Sequence, residues 1–369
     1  MSFSAQTTVA LDKPAEALGH ILEHLREHEL TPVTQPDGSV FIEIDQTSQI
    51  RVAPDDETLT FHVKAPSQNT LYFFKESVVR HLEEISAEAA QAVRWSDNTN
   101  RSSGDSPAFP INFQLLQFVR KSAPFPGMMR LTFTSETDAS KRDITALLED
   151  GIHVKLMLPS HAGRQPIWPH VAANGTTVWP QGKDELHVRY YTLKEIRVDQ
   201  NEVDIDIVAH SGGKIADWAA TAASGDQIGL MGPGGGDKVP EDCSRVLLAA
   251  DETALPALAH MLAHLPPNCT GHVVAALPKE ATSYLPETPL QITCLPSETF
   301  AARIDETLAS LAAAPAPEQA PDFCWFAGEY NNAQSLRQMF KQTLGLKKGR
   351  QLAISYWKEG RTGDAKGTG

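Results

Sequence analysis

The alternation of hydrophobic and polar positions divides the chain into regions with different secondary structure. Pro14 to Glu29 carries leucine and isoleucine at helical spacing on one stripe, which predicts an amphipathic helix. Short alternating segments follow, SVFIEI, SQIRVAP and TLTFHVKA, and then a second helical stretch, TLYFFKESVVRHLEEIS. We therefore predict that residues 1–97 form a small α+β domain.

A polar segment and a β-rich region come next. Residues 98–109, NTNRSSGDSPAF, are rich in Ser, Asn, Gly and Pro, which predicts a linker. Residues 110–240 contain short alternating segments, among them MMRLTFTSE, GIHVKLMLP, LHVRYYTLKEIRV and EVDIDIVAH, and DQNE predicts a hairpin between the last two. Several short strands separated by turns predict an antiparallel β-barrel.

The last region, residues 241–369, alternates apolar strands with amphipathic helices. RVLLAA, GHVVAAL, LQITCLP and FCWFAGE are nearly continuous apolar runs, whereas TALPALAHMLAHL and NAQSLRQMFKQTL have helical spacing. This pattern predicts an α/β domain whose parallel sheet is covered on both faces. A barrel followed by such a sheet is a known arrangement for holding a flavin beside a nicotinamide. We thus predict a multi-domain protein with a ferredoxin-reductase-like module behind its first domain.

Composition and charge narrow the classes of function. The 369 residues are too many for one core, and 41% hydrophobic with 21% charged residues is ordinary for a soluble protein. We find no leading apolar run and no stretch of about 20 apolar residues, so we expect a cytoplasmic protein without a membrane span. A net charge of −14 argues against nucleic acid or an anionic membrane as partner. No oligomeric state is predicted.

The first predicted helix carries a pattern that resembles a metal site. His20, His24 and His28 lie on one face, and HLREH fits the H-x-x-E-H spacing of some zinc peptidases. Hydrolysis would require a third ligand, which the sequence does not indicate, and the surrounding residues are charged. Both a solvated helix face and a metal site fit; we predict the solvated face and no metal. The cysteines are too widely spaced for a thiolate cluster: Cys243, Cys269, Cys294 and Cys324.

Two segments of the barrel region combine strand residues with groups that bind anions. In HVRYYTLKEIRV, Arg189, Tyr191 and Thr192 fit either a plain edge strand or a site for a flat, negatively charged ligand. In HSGGKIADWA, two glycines and Lys214 precede a helix that starts near Ile215. Because glycines admit close approach and free N–H groups attract phosphate, this segment fits either a phosphate site or a turn before a core helix.

Three later segments also have two interpretations each. GDQIGLMGPGGG fits a barrel exit turn or a ligand contact. AADETALPA lacks the glycines of a pyrophosphate site, and Asp251 with Glu252 would repel a phosphate, so this turn fits either a helix cap or a hydrogen bond to ribose or adenine. The tail GRQLAISYWKEG closes the sheet and also places Arg350 and Lys358 in a local basic cluster.

From residue 110 to about 360 these segments resemble, in family order, the siderophore-interacting proteins, which are FAD-dependent ferric-siderophore reductases. The matching pieces are GIHVKLMLP, RYYTLK, HSGGKIADWA, GDQIGLMGPGG, DETALPA, FAGE and SYWKEG. Residues 10–97 resemble a small uncharacterised domain family that is sometimes fused in front of such reductases. The sequence departs from the family pattern at Lys194, where an arginine is common, and at Gly234, where relatives can carry a basic residue.

The resemblance implies that FAD binds in the barrel. Arg189 would meet the phosphates, Tyr191 would pack on the isoalloxazine, and Thr192 would hydrogen-bond to the ring. Strand alternation puts Thr192 on the opposite face from the other two, so the strand must end or bulge there. The remaining implied FAD contacts are, for the pyrophosphate and adenine side, His210, Gly213, Ile215, Ala216 and Trp218, and, for the adenosine half, Asp251 and Thr253.

The resemblance also implies an activity. NADH or NADPH would donate electrons to FAD on the sheet domain, and FAD would pass them to a ferric siderophore, releasing Fe(II). No side chain is predicted to act as a covalent or acid catalyst. Lys155, Arg350 and Lys358 are our candidates for contacts to the anionic siderophore. Two alternatives remain: an NAD(P)H reductase with another acceptor, and a flavin- or siderophore-binding protein without turnover.

Overall fold

The computed structural model describes residues 2–27, 31–44, 47–97, 108–135, 144–148, 151–161, 163, 165–210, 212–236, 238–313 and 320–360. Most of the predicted linker, His28 and the end of the tail lie outside the described residues. The described chain forms two compact units. The first contains residues 1–113 and 161–185, and the second contains residues 114–160 and 186–369.

The first unit is an antiparallel sheet covered by helices, in agreement with the predicted α+β domain. Its elements are β1 (Phe3–Ala10), α1 (Pro14–Glu27), β2 (Val33–Thr34), β3 (Val40–Glu43), β4 (Gln49–Pro54), β5 (Thr58–Ala65), α2 (Gln68–Ile85), α3 (Ala87–Ala92) and β6 (Ser96–Asp97). The strands lie in the order β2-β3-β4-β5-β1-β6. Alternate residues of β5, such as Leu59 and Phe61, pack against Val79 and Leu82 of α2 in the core.

The first unit also takes in a segment from the barrel region. Residues 161–185 contain the short strands β10 (His170–Val171) and β11 (Thr177–Val178), which pair with each other. Trp95 donates its indole N–H to the Asn174 carbonyl at 3.0 Å, and the Asn174 amide donates to the Ala90 carbonyl. Tyr72 and Thr177 share a hydrogen bond of 2.5 Å between their hydroxyls. The segment is therefore integrated into the first unit.

The second unit begins with the predicted barrel. Six strands close in the order β12-β13-β8-β7-β14-β9. Leu131, Phe133 and Val203 fill its interior with no exposure. The predicted DQNE hairpin is confirmed, because β12 and β13 pair antiparallel across it. The elements are β7 (Phe113–Phe125), β8 (Met128–Ser135), β9 (His153–Pro159), β12 (Leu186–Arg197), β13 (Glu202–Val208), α4 (Lys214–Thr221) and β14 (Gln227–Gly234).

The rest of the second unit is the predicted parallel sheet. Five strands lie in the order β17-β16-β15-β18-β19, all parallel. Trp325 of β18 has no exposed surface and packs in the core on one face, whereas its neighbour Phe326 packs on the other. The elements are β15 (Arg245–Ala250), α5 (Leu255–Ala263), β16 (Thr270–Ala276), β17 (Gln291–Leu295), α6 (Ser297–Ala312), β18 (Phe323–Glu329), α7 (Tyr330–Gln338) and β19 (Gln351–Trp357).

The sequence analysis predicted neither a membrane span nor a metal site. No helix in the described part of the chain is long and apolar enough to cross a lipid bilayer. Over the same residues, we find no group of three or more His, Cys, Asp or Glu side chains placed to hold a metal ion. His20 and His24 line a small surface cavity with His81, whose ring meets that of His24 edge-on at 4.9 Å.

A charged network on the barrel makes its stability depend on pH. Arg120 donates to both carboxylate oxygens of Glu202, at 2.5 and 2.7 Å, and Arg197 donates to Glu202 and Asp204. The hydrogen bond from Arg120 is the largest cause that lowers the pKa of Glu202 from 4.5 to about 2. A carboxyl group with a depressed pKa stabilises the fold above its ordinary pKa, and this stabilisation is lost as pH falls through the folded-state value.

We expect Glu202→Gln to flatten the acid limb of the stability profile. Between about pH 5 and pH 2 the free energy of unfolding of the wild type should fall more steeply than that of the variant, because only the wild type loses this ion pair. Urea unfolding at a series of pH values measures it. Glu195→Gln is the matched control, since Glu195 also pairs with Arg197 but is more exposed. Parallel acid limbs for wild type and Glu202→Gln would contradict the assignment.

Candidate functional site

A cavity of about 1720 Å³ lies in the second unit. One wall comes from the barrel, through β12, β13 and the residues before α4, and the other comes from Glu252, Thr253, the start of α7 and the end of β19. Pockets for a single small ligand usually measure about 300–1,000 Å³. The cavity is therefore large enough for more than one ligand at once.

The strand β12 brings three of the predicted residues into this cavity: Arg189, Tyr191 and Thr192. Arg189 is half-buried, and its guanidinium donates to the Val188 carbonyl at 2.8 Å. Burial raises the pKa of Tyr191 and the Arg189 charge opposes this effect, so the phenol is neutral at physiological pH. The Thr192 hydroxyl lies 3.2 Å from Nδ1 of His153. The guanidinium of Arg189, the ring of Tyr191 and the hydroxyl of Thr192 thus all belong to one wall of the cavity.

A change of strand partner explains how residues of both faces reach the same cavity. The pairing of β12 with β9 ends at Thr192, opposite His153. Pairing with β13 starts at Leu193, and one extra residue, Lys194, follows before the register resumes at Glu195. Such a bulge bends a strand and turns its side chains. The irregularity that the sequence required therefore lies directly after Thr192.

The segment before α4 has the features of a phosphate site. Gly212 adopts a positive φ of 85°, and α4 begins without a side-chain cap on its first N–H groups. A Cβ added at Gly213 would lie 2.4 Å from the His210 ring, so a larger residue there would require that ring to move. His210, Gly213, Ile215 and Ala216 all line the cavity, as does Lys214. A ligand phosphate would meet free backbone N–H groups and a positive charge.

The structure does not bring every predicted site residue to the cavity wall. Trp218 is half-buried and packs against the barrel core, stacked on Phe133 with an angle of 7° between the rings. Asp251 is buried behind the wall, where Thr253 and Trp357 donate to it. Among these three residues of the prediction, only Thr253 lines the cavity.

The three predicted siderophore contacts differ in position. Lys358 lines the cavity, with its ammonium 3.9 Å from the centre of the Tyr330 ring. Lys155 lies beside the wall, 5.2 Å from the ring centre of Tyr190. Arg350 is not in the wall, because it forms an ion pair with Asp242 and donates to the Cys243 sulfur at 2.9 Å. Arg350 and Lys358, which are close in the sequence of the tail, thus do not lie together in the cavity wall.

Several residues in the wall were not predicted from the sequence. Among them are His153, His187, Tyr330 and Tyr356. His153 faces Thr192 because β9 and β12 pair, but residues 161–185 separate these strands in the sequence, so no hairpin signal indicated the pairing. Tyr356 lies in the SYWKEG segment. The strand pattern of that segment was the signal in the sequence that could have indicated this residue.

Comparison with known proteins identifies the family. Residues 117–237 match the family model of the siderophore-interacting FAD-binding domain, and residues 243–360 match that of the siderophore-interacting protein. The chain belongs to the siderophore-interacting protein family. The predicted family, fold class and FAD cofactor are therefore confirmed. Residues 6–96 match an uncharacterized domain conserved in bacteria, DUF2218, as the resemblance implied.

Relatives in this family cover most of the barrel and the parallel sheet. The ferric vibriobactin reductase ViuB of Vibrio cholerae is 29% identical over 257 residues, which is 68% of this chain and 92% of ViuB. The NADPH-dependent ferric-chelate reductase of Escherichia coli is 35% identical over 126 residues, which is 34% of this chain and 48% of that protein. The crystal structure of the siderophore-interacting protein SipS from Aeromonas hydrophila matches with a TM-score of 0.53 and 25% identity, covering 68% of this chain and 94% of SipS.

The residues present fit FAD. Gly212 and Gly213 line the cavity without side chains, as expected where a pyrophosphate approaches the backbone, and Arg189 supplies a cation in the lining of the same cavity. Tyr191 offers a largely buried aromatic surface, and Thr192 a hydrogen-bonding group beside it. All of these residues line the same cavity, so its barrel side suits a flat ring joined to phosphates.

We expect Arg189→Ala to purify with much less bound FAD than the wild type. A hydrogen bond to a charged group contributes about 1.5–3 kcal/mol, so FAD should bind roughly tenfold or more weakly. The absorbance of the bound flavin relative to protein measures occupancy. Arg189→Lys is the matched control, which keeps the charge without the planar fork and should retain intermediate occupancy. Full occupancy in Arg189→Ala would argue against a phosphate contact.

Proposed function

We propose that the chain is an FAD-dependent reductase that passes electrons from NADH or NADPH to a ferric siderophore, releasing Fe(II) in the cytoplasm for iron assimilation. The observation that carries the proposal is the single cavity lined by both the FAD-binding barrel and the carboxyl ends of the parallel strands. Ligands of open α/β sheets bind outside the carboxyl ends of the strands. A nucleotide held there would lie within the same cavity as the flavin.

The protein residues in this reaction have binding and orienting roles. Arg189 and the amide groups at the start of α4 would hold the FAD phosphates, and Tyr191 and Thr192 would border its ring. Bound FAD supplies the redox chemistry, because it accepts two electrons as hydride and can release them one at a time. Fe(II) is bound weakly by hard oxygen donors, so reduction alone loosens the siderophore. The chain therefore needs no covalent nucleophile.

Basic side chains near the cavity would attract the anionic iron complex. Lys358 lies in the wall, and Lys155 lies beside it, so both can act over a short distance although the net charge of the protein is −14. Names of relatives support this substrate class, since ViuB is a ferric vibriobactin reductase. Arg350 forms an ion pair with Asp242, so we do not include it among these side chains.

Anaerobic stopped-flow absorbance tests the reaction. We expect NADH or NADPH to bleach the bound flavin, and a ferric catecholate siderophore or ferric citrate to restore its absorbance. If neither nucleotide bleaches flavin that is demonstrably bound, the protein is a binder without turnover. If bleaching occurs but ferric complexes do not restore the colour, a different electron acceptor must be sought.

We expect Lys358→Ala to raise the KM for the ferric siderophore several-fold while leaving FAD occupancy unchanged. The reason is the loss of one positive charge close to the bound chelate, and the effect should shrink at high salt. Steady-state kinetics at low and high ionic strength measure it. Lys347→Ala is the control, since Lys347 is exposed and not in the cavity wall. Equal KM values for the two variants would contradict a role for Lys358.

A further inference from the structure

The end of β19 presents an indole ring to the cavity in an unusual way. Trp357 is the last residue of the strand, lines the cavity, and has 43% of its surface exposed. In the pairing with β18, Gly328 is opposite Ser355 but Glu329 is opposite Trp357, so Tyr356 is an extra residue. A bulge of this kind re-aims the side chains that follow it. The exposed indole is thus directed by a local irregularity of the strand.

A buried carboxylate fixes this indole. Asp251 directly follows β15, is only 4% exposed, and receives the Trp357 indole N–H on Oδ2 at 2.7 Å. Its other oxygen, Oδ1, accepts the backbone N–H and the hydroxyl of Thr253, at 2.9 and 2.5 Å. Burying a carboxylate is costly unless both of its oxygens are hydrogen-bonded. Here the carboxylate is fully engaged, and one of its partners is a ring at the cavity surface.

A second buried carboxylate holds the residues that follow. Glu329, at the end of β18, is 7% exposed and accepts the backbone N–H of Asn331, in the first turn of α7, and that of Glu359. The carboxyl ends of β15 and β18 are adjacent in the sheet. Consequently two neighbouring strands each use a buried acid to anchor the short segment Trp357–Gly360, which forms part of the cavity wall.

We propose that Asp251 is a positioning residue that holds the Trp357 indole as a stacking surface for the nicotinamide nucleotide. This rests on the proposed function, in which the nucleotide binds at the carboxyl ends of the parallel strands. Trp357 lies at that edge, whereas the FAD-binding residues lie on the barrel side of the cavity. An exposed indole of fixed orientation offers a flat ring a preformed partner, because aromatic pairs depend on their relative geometry.

The hydrogen-bond pattern makes one substitution unusually informative. Asn at position 251 has the same shape as Asp but only one oxygen. If that oxygen serves Thr253, the amide N–H₂ group faces the indole N–H, and two donors then oppose each other. Asp251→Asn should therefore free the indole without creating a cavity. A Cβ at Gly328 would lie 2.6 Å from Oδ2 of Asp251, so Gly328→Ala should displace the same oxygen by a different route.

The test measures nucleotide affinity separately from FAD binding. We expect Asp251→Asn and Gly328→Ala each to raise the Kd for NAD⁺ or NADP⁺, and the KM for the reduced form, about five- to tenfold, as the loss of one aromatic contact would. Titration calorimetry gives the Kd without turnover. FAD occupancy and the KM for the ferric siderophore should not change.

Trp357→Phe shows whether the two residues act together. Phenylalanine keeps an aromatic ring but removes the N–H donor, so it should weaken nucleotide binding by a similar factor. The double variant Asp251→Asn, Trp357→Phe should bind the nucleotide no more weakly than either single variant. The reason is that both substitutions break the same hydrogen bond. Effects that multiply in the double variant would overturn the proposal.

The chain offers a matched control at the opposite end of the same sheet. Asp322 precedes β18, and its two oxygens accept the backbone N–H groups of Ser244 and Arg245 and the Ser244 hydroxyl. Asp322→Asn should lower the melting temperature but leave the nucleotide Kd unchanged. An equal change of Kd in Asp322→Asn and Asp251→Asn would overturn the proposal, since it would indicate a general loss of sheet stability.

Two further results would count against the proposed role. One is an unchanged nucleotide Kd in Asp251→Asn. The other is a loss of FAD with no change in nucleotide affinity, which would assign the indole to the flavin. Failure of the proposed function is distinguishable, because it would appear in the wild type as bound flavin that neither NADH nor NADPH reduces.

Discussion

The cavity depends on a buried acid that joins the barrel to the parallel sheet. Asp206 of β13 is 4% exposed and accepts two hydrogen bonds of 2.8 Å from Arg130 on the neighbouring strand. The Tyr284 hydroxyl, from the chain between β16 and β17, donates to the same carboxylate at 2.7 Å. Leaving a buried charge without its partners costs several kcal/mol, so these contacts specify one arrangement. Because Asp206 also lines the cavity, the joint and the site are built from the same residue.

A residue that departs from the family pattern takes part in this joint. Lys194 is the extra residue of the β12 bulge, and its ammonium lies 4.2 Å from the Tyr284 ring centre and donates to the Tyr284 carbonyl at 3.3 Å. Burial lowers the pKa of Lys194, while the charge of Asp206 acts in the opposite direction. The bulge that turns β12 at the site thus also provides a contact to the sheet.

The parts that could be predicted from the sequence are those governed by local pattern. Alternation in β12 and β13 and the apolar runs of the parallel strands predicted the barrel and the sheet, and the glycines before α4 predicted a backbone open to a ligand. Non-local partners could not be predicted. Arg350 is close to Lys358 in the sequence, but in the structure it forms an ion pair with Asp242, more than a hundred residues earlier. Trp218 was predicted to contact FAD, and its packing against Phe118 and Phe133, which lie on two strands distant in the sequence, could not be predicted.

A segment of the first unit connects two strands of the site. Strands β9 and β12, which carry Lys155 and Arg189, are joined by residues 161–185, and these residues are packed within the first unit. Asn174 is 8% exposed there: its carbonyl accepts from Trp95, its amide donates to Ala90, and its Oδ1 accepts from Thr176. Without residues 1–97 this connection would lose these hydrogen bonds and its packing within the first unit. Residues 161–185, which connect two strands of the site, are thus held by hydrogen bonds to Trp95 and Ala90 of the DUF2218 domain.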